Sequence, residues 1–284
     1  MSVHTRRLTV SGTALAFALT VGLAPAAYAA IPTPPRALVV LPAALDAIGY
    51  SSQLSCDPRP KPGVTAFAAL MTARYRTGAK GTYRPCQAST SEHYDSRALD
   101  WMLNVNNPTQ KAIANSVTAW LTANNGAMAR RFGISYIIWN RHIWGVWNAR
   151  WAAYTGSVPH TDHVHFSFSW DGAMKRTSWW TGRATTVADR GPCRVYAGQF
   201  APLYRSLRTA PCPTRLPASP TSAYRVAVYG QQSAQIAVAQ RLLRVPVTGQ
   251  FGSPTFVKLV AWQKGRVPIT GVLDKATWRK LAGR

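Results

Sequence analysis

The sequence predicts an α+β fold with an antiparallel sheet, followed after a proline-rich stretch by a small domain of three helices. Three observations carry this expectation. Between about residues 60 and 130 apolar residues recur three and four apart, as on one face of a helix. Between 134 and 170 the period falls to two, as in half-buried strands. From 234 onward the helical period returns in short segments parted by Thr-Gly loops. Because helical and strand patterns come in mixed order, the sheet is expected to be antiparallel.

Taken in order, the chain opens with Arg6 and Arg7, an apolar run from Ala14 to Leu23, and the small residues Ala27-Tyr28-Ala29. This pattern reads as a secretory signal, residues 1–29, cut after Ala29 or Ala30. The run is too short for a membrane span and is broken by Gly22 and Pro25. The mature chain is therefore expected to be secreted, with no membrane anchor.

The first globular part is expected over residues 30–181. Pro62-Gly63 starts a helix whose apolar face is Val64, Phe67, Ala68, Leu70, Met71 and Tyr75. In the next helix Asn107 caps, Pro108 takes the first position, Ile113, Val117, Trp120 and Leu121 form the stripe, and Gly126 can end it. Ile134 to Trp139 and His142 to Trp147 read as neighbouring strands around Asn140-Arg141, and HVHFSFSW (163–170) is the most regular strand. Six prolines between 182 and 222 mark a linker. Residues 223–284 then form the helical domain, its helices carrying Ile236 and Leu243, Phe256 and Val260, and Trp278 and Leu281. The two Thr-Gly loops make a weak internal echo.

Composition bounds the function classes. With the signal removed, 31 Lys and Arg stand against 9 Asp and Glu, a net +22. Such a field draws a protein to polyanions. For a secreted chain these are anionic wall polymers, and the charge also serves solubility. No zinc-finger or helix-turn-helix spacing points to specific nucleic-acid binding. Four cysteines suit an oxidising compartment. Sequence proximity pairs Cys56 with Cys86 and Cys193 with Cys212, one of three connectivities; none of the four stands at the Cys-x2-Cys spacing of a zinc cluster. The paired cysteines and the lack of Gly-x-Ser-x-Gly also argue against covalent catalysis.

Imidazoles and carboxylates are scarce and clustered. Beyond the signal there are five histidines, of which His160, His163 and His165 fall in HTDHVH and His93 stands seven residues before Asp100 in SEHYDSRALD. On a strand, His163 and His165 share one face with Ser167, opposite Val164, Phe166 and Phe168. The phenylalanines are expected in the core, so the imidazoles line a polar cleft. A catalytic zinc needs three such ligands and an open position. Strand geometry alone permits either or both histidines of the His163-x-His165 pair to bind.

SEHYDSRALD (91–100) resembles the Ser-x-His-x2-Gly-x-Ala-x-Asp signature of D-Ala-D-Ala carboxypeptidases and dipeptidases, with Ser96 in place of the Gly. His163-Val164-His165 is similar to the His-x-His of the zinc peptidase group that joins these enzymes to lysostaphin and hedgehog proteins, and HTDHVH has the spacing of penicillin-insensitive murein endopeptidases. GTYRPCQ (81–87) is similar to a Gly-Tyr-Arg segment of the carboxypeptidases. The resemblance covers about residues 60–170. It implies zinc on His93, Asp100 and His165, with His163 handling protons, and Arg84 binding substrate. Asp162 stands where the carboxypeptidases have a catalytic Glu, so the base is His163, Asp162 or His160, in that order of choice. Ser91 either hydrogen-bonds substrate or orders its loop.

Residues 233–281 resemble the three-helix peptidoglycan-binding module of wall hydrolases, through Thr-Gly-x-Phe-Gly-x2-Thr (248–255), Trp262-Gln263 and Thr-Gly-Val-x-Asp-x2-Thr-Trp (270–278). Together the resemblances imply a secreted, monomeric zinc peptidase that cuts stem-peptide or cross-link amides of peptidoglycan. The alternative is a wall-binding protein whose peptidase-like domain does not turn over.

Overall fold

The structure is a computed structural model that describes residue 1 and residues 30–283, apart from 58, 79, 85–89, 195–199, 202–203, 205 and 217–226. The expected signal segment and Cys86 lie outside the described residues.

The helix α1, Pro62–Tyr75, starts as expected with Pro at its first position. It buries Gly63, Val64, Phe67, Ala68, Met71 and Tyr75, and leaves Leu70 half-buried. Gly63 lies against the backbone of Gly172 and Ala173, where a Cβ would collide with the Gly172 carbonyl oxygen. In α2, Pro108–Phe132, the Asn107 side chain accepts from the Gln110 N–H. This satisfies one of the amide donors that a helix start leaves unpaired. The helix that Pro108 starts breaks at Ala123–Gly126, close to where Gly126 was expected to end it, and a second stretch follows. The regular turns stop before Ala123, and Asn124, Asn125 and Gly126 all take positive φ before the helix resumes and runs to the Gly133 cap. Gly126 is needed there because a Cβ would meet the Trp144 ring.

The strands are β1 Lys80–Gly81, β2 Ala98–Trp101, β3 Ile134–Trp139, β4 His142–Gly145, β5 Trp151–Ala153 and β6 Val164–Phe168. They form one antiparallel sheet in the order β1-β2-β6-β3-β4-β5. Strands β3 and β4 turn on Asn140 and Arg141, both with positive φ, as a two-residue hairpin with a right-handed twist requires. The expected strand 163–170 is shorter, because Ser169 leaves it to cap a helical turn, α3, Trp170–Ala173. A further turn, α4, spans Ser178–Thr181.

One face of the sheet is the core. Phe67 of α1 packs edge-on against Phe166, Phe168 and Phe132, at 5.1, 5.6 and 4.9 Å between ring centres. All four rings are fully buried, each removal costing about 3–5 kcal/mol by transfer and cavity terms. Since side chains alternate across a strand, the packing that buries Phe166 turns His165 to the other face.

The last strand in sequence thus inserts between β2 and β3. A second core comprises α5 Ala234–Leu243, α6 Ser253–Gln263 and α7 Lys275–Leu281 around Ile236, Ala239, Leu243, Phe251, Phe256, Leu259 and Leu273. Val238, Leu242 and Val257 of these helices are exposed. The Thr-Gly echo has a structural basis. The Gln240 carbonyl accepts from the Thr248 and Gly249 amides, and its NH2 reaches Thr248, Thr255 and the Gln250 carbonyl within 3.1 Å. Gln263 does the same with Thr270, Gly271, Thr277 and Val272.

Cys193 and Cys212 form a disulfide, as sequence proximity suggested, and Cys56 is also disulfide-bonded. Within the expected linker, Asp189, Ala201 and Tyr204 are buried. Among the described residues no helix is long and apolar enough to cross a membrane.

Candidate metal centre

Two separate segments supply the centre. The first is a single 3-10 turn, Glu92–Asp95, followed at once by β2. Ser91 starts the turn, its hydroxyl accepting from the His93 N–H at 3.3 Å. Ser96 ends it at φ 59°, a conformation that favours glycine. The Ser96 hydroxyl donates to the Asp57 carbonyl at 2.9 Å, and its N–H is taken by Glu92 and His93, which holds a residue with a Cβ in that region. The departure from Gly therefore leaves the turn intact. The second segment is β6. Asp100 on β2 lies directly opposite His165 on β6 in the antiparallel register.

This register brings His93, Asp100 and His165 together. One potential ligand atom from each lies within 4.8 Å of the others, and all three residues are buried. His93 Nε2 and His165 Nδ1 both point at Asp100 Oδ1, at 3.1 and 2.9 Å. An ionised carboxylate only accepts, so both facing nitrogens carry protons here, and a cation would displace them on binding. Burial alone would raise the Asp100 carboxyl, but the hydrogen bonds and charges of His165 and His93 outweigh it and hold it far below the usual carboxylate range. Burial lowers His93, against the pull of Asp100. Two imidazoles and a carboxylate suit a divalent transition metal such as zinc, and the buried, converging donors fit it.

The neighbouring expected residues are also close. His163 Nε2 is 3.5 Å from Asp100 Oδ1, and its Nδ1 is 2.8 Å from the Asp162 carboxylate. Asp162, 63 % exposed, is thus spent on His163, whose bond lowers its pKa. The Asp162 carboxylate takes Nδ1 on the far side of the ring, which leaves His163 Nε2 facing the centre. His160, at φ 52°, stands 4.7 Å from the His163 ring and 5.7 Å from that of His165. Its Nδ1 donates to the Val158 carbonyl at 2.6 Å, and burial together with His165 and His163 lowers it to about 4. His160 is therefore neutral near pH 7. Arg84, 55 % exposed, donates to Asp100 Oδ2.

Sequence reasoning missed two groups that steady the ligands. Metal-bound histidines commonly anchor their second ring nitrogen on a neighbour. Here His93 Nδ1 and His165 Nε2 have no such partner among the described residues, so packing must orient the rings. Tyr136 of β3 stacks on His165 at 5.4 Å and 22°. Its hydroxyl donates to Glu92 at 2.8 Å, and Tyr50 donates to the other Glu92 oxygen at 3.2 Å. Glu92 is buried and adjoins His93, so one hydrogen bond ties the turn that bears His93 to the ring that braces His165. Glu92 sits inside the motif that was singled out, but Tyr136 becomes visible only once β3 is known to pair with β6.

Residues 56–165 match a family model described as VldE, C-terminal domain. These 110 of 284 residues include both segments of the centre and end at His165. No curated protein and no solved structure shows a significant match to the chain.

Proposed function

We propose that the protein is a secreted zinc-dependent peptidase that hydrolyses stem-peptide or cross-link amides of peptidoglycan, with residues 223–284 as its wall-binding part. The observation that supports this reading is the convergence of His93 and His165, 72 residues apart in the chain, on one carboxylate oxygen of Asp100.

His93 Nε2, an Asp100 oxygen and His165 Nδ1 are the atoms that would hold the ion. A zinc ion so held supplies a Lewis acid for an amide carbonyl and acidifies water. His163 Nε2 accepts the proton of the attacking water and returns it to the departing amine, as a general base and then acid. Asp162 fixes the His163 ring so that Nε2 faces inward. Neutral His160 adds no charge beside it. Arg84 offers its guanidinium to the carbonyl oxygen as charge develops, or to a peptide carboxylate. The excess of basic residues favours retention on anionic wall polymers.

A second reading, a wall-binding protein without turnover, draws on Asp162 standing where the similar enzymes have Glu. Incubation of the mature protein with isolated wall separates the two. Fragments identified by mass spectrometry should carry newly freed peptide ends, absent with His165→Ala or with chelator. Identical profiles from all samples would leave only the binding reading.

A further inference from the structure

Ala201 and Tyr204, which follow the sheet in the chain, reach the metal-binding turn through a short stretch, 53–57. On one side this stretch is bonded to the turn. The Gln53 side chain accepts from the Ser91 N–H at 3.0 Å, and the Leu54 N–H donates to Asp95 at 3.1 Å. The Asp57 N–H donates to the Tyr94 carbonyl at 3.0 Å, and the Asp57 carbonyl accepts from Ser96. Its other side is bonded to Ala201. Ser55 and Ala201 form a parallel bridge, with Cys56 N–H to Ala201 carbonyl at 3.0 Å and Ala201 N–H to Leu54 carbonyl at 2.9 Å.

Asp57 belongs to both sides. Its fully buried carboxylate takes Arg59, Lys61 and the Tyr204 N–H, at 2.6, 2.9 and 3.3 Å. Tyr204 is itself fixed. Its ring stacks on Trp170 at 4.7 Å and 12°, and its hydroxyl bonds Asp189, which also takes Arg176 and the Arg208 N–H. Trp170 carries the Arg97 guanidinium on its face at 4.6 Å, and Arg97 pairs with Asp95 of the turn. Two routes therefore run from Tyr204 to the residues that directly follow His93: Tyr94 and Ser96 through Asp57, and Asp95 through Trp170 and Arg97. Both start at Tyr204, which lies between the disulfide partners Cys193 and Cys212 in the chain.

We propose that Ala201 and Tyr204, set between the disulfide partners Cys193 and Cys212, together with Asp57 form a buttress for metal binding, with Asp57 and Tyr204 as the residues that position His93. The proposal rests on the metal-site reading above. It follows from a deficiency of the site: His93 has no partner for its second nitrogen among the described residues, so its place depends on the backbone of its turn. That turn is one 3-10 turn long and is bonded to 53–57 at Ser91, Tyr94, Asp95 and Ser96.

The test is zinc affinity of the full mature chain, by competition with a chromophoric chelator, for wild type, Tyr204→Ala, Asp57→Asn and a control, Val117→Ala. Val117 is a fully buried residue of α2 outside both routes, so its loss lowers stability alone. Tyr204→Ala and Asp57→Asn should weaken zinc binding about tenfold or more, in the range seen when supporting groups of a metal site are removed. Val117→Ala should bind zinc as wild type does, at a similar loss in melting temperature. Wild-type affinity in folded Tyr204→Ala overturns the buttress, and so does equal weakening by Val117→Ala. Should Asp57→Asn not fold, Tyr204→Ala decides. A wild-type chain that binds no zinc overturns the metal reading itself, a distinct result.

Discussion

Asp100 and His165 face each other across antiparallel strands, 65 residues apart in the chain and 2.9 Å apart at Oδ1 and Nδ1. The pairing is made by backbone hydrogen bonds, so the strands do not need the side chains. Asp100→Ala should leave the sheet intact while zinc affinity falls by more than about 100-fold, beyond the range for supporting residues. Circular dichroism and chelator competition check the two halves. A variant that keeps wild-type affinity would show that Asp100 is not a ligand.

His163 and Asp162 divide one task unequally. His163 Nε2 is aimed at the centre, whereas Asp162 is solvent-exposed and acts only on the far side of the ring. His163→Ala should lower kcat on soluble muropeptides by about 10² to 10⁴, the usual worth of a general base. Zinc binding should be unchanged. Asp162→Asn should cost much less, because an exposed pair contributes at most about 1 kcal/mol, or roughly fivefold in rate. If Asp162→Asn is the more damaging, the base is Asp162 and its match to the Glu position holds.

Asp57 gives a pH dependence with a definite sign. Burial would raise its carboxyl, but hydrogen bonds and charge from Arg59 and Lys61 win and hold it below its usual value. Lys61 is itself lowered by burial despite Asp57, so the site favours the carboxylate more than the ammonium. A depressed carboxyl contributes stability above the unfolded value, about pH 3.9, and loses it as pH falls through the folded value. Denaturation of wild type and Asp57→Asn should therefore differ at neutral pH and converge below about pH 4. A gap that stays constant down to pH 2 would mean that the Asp57 charge adds nothing.

Much of this was legible in the sequence because the chain is poor in the relevant groups. With five histidines outside the first segment, the gathering of four of them in two short segments, one of which also holds Asp100, could be read directly, whereas the meeting of the two segments could not. Period-two alternation around Phe166 and Phe168 then assigned His165 a face, and Asn107-Pro108 marked a helix start. Gly126 marked the helix break, but the helical stretch that resumes after it and runs to Gly133, and the contact of Gly126 with Trp144, were not legible. Tyr136 and the 53–57 stretch were illegible for another reason. Their importance lies in strand order and in contacts over 40 to 150 residues, which no local pattern encodes.

The second core, built on α5, α6 and α7, offers a test that does not touch the candidate metal ligands. Gln263 is fully buried, and its carbonyl oxygen is the acceptor for the Thr270 and Gly271 amides at 3.0 and 2.8 Å. Leucine has similar bulk but leaves both donors unpaired, at about 1–3 kcal/mol each. A domain of this size has little stability to lose. Gln263→Leu should therefore lower the thermal stability of this second core, and Gln240→Leu, in the equivalent position of the echo, should act alike. If the domain retains the protein on wall, the bound fraction in sedimentation with insoluble peptidoglycan should fall for both variants. Cleavage of soluble muropeptides should persist, since tethering raises local concentration without adding contacts at the site of reaction. Undiminished sedimentation by a variant whose domain has unfolded would move wall binding to another surface of the chain.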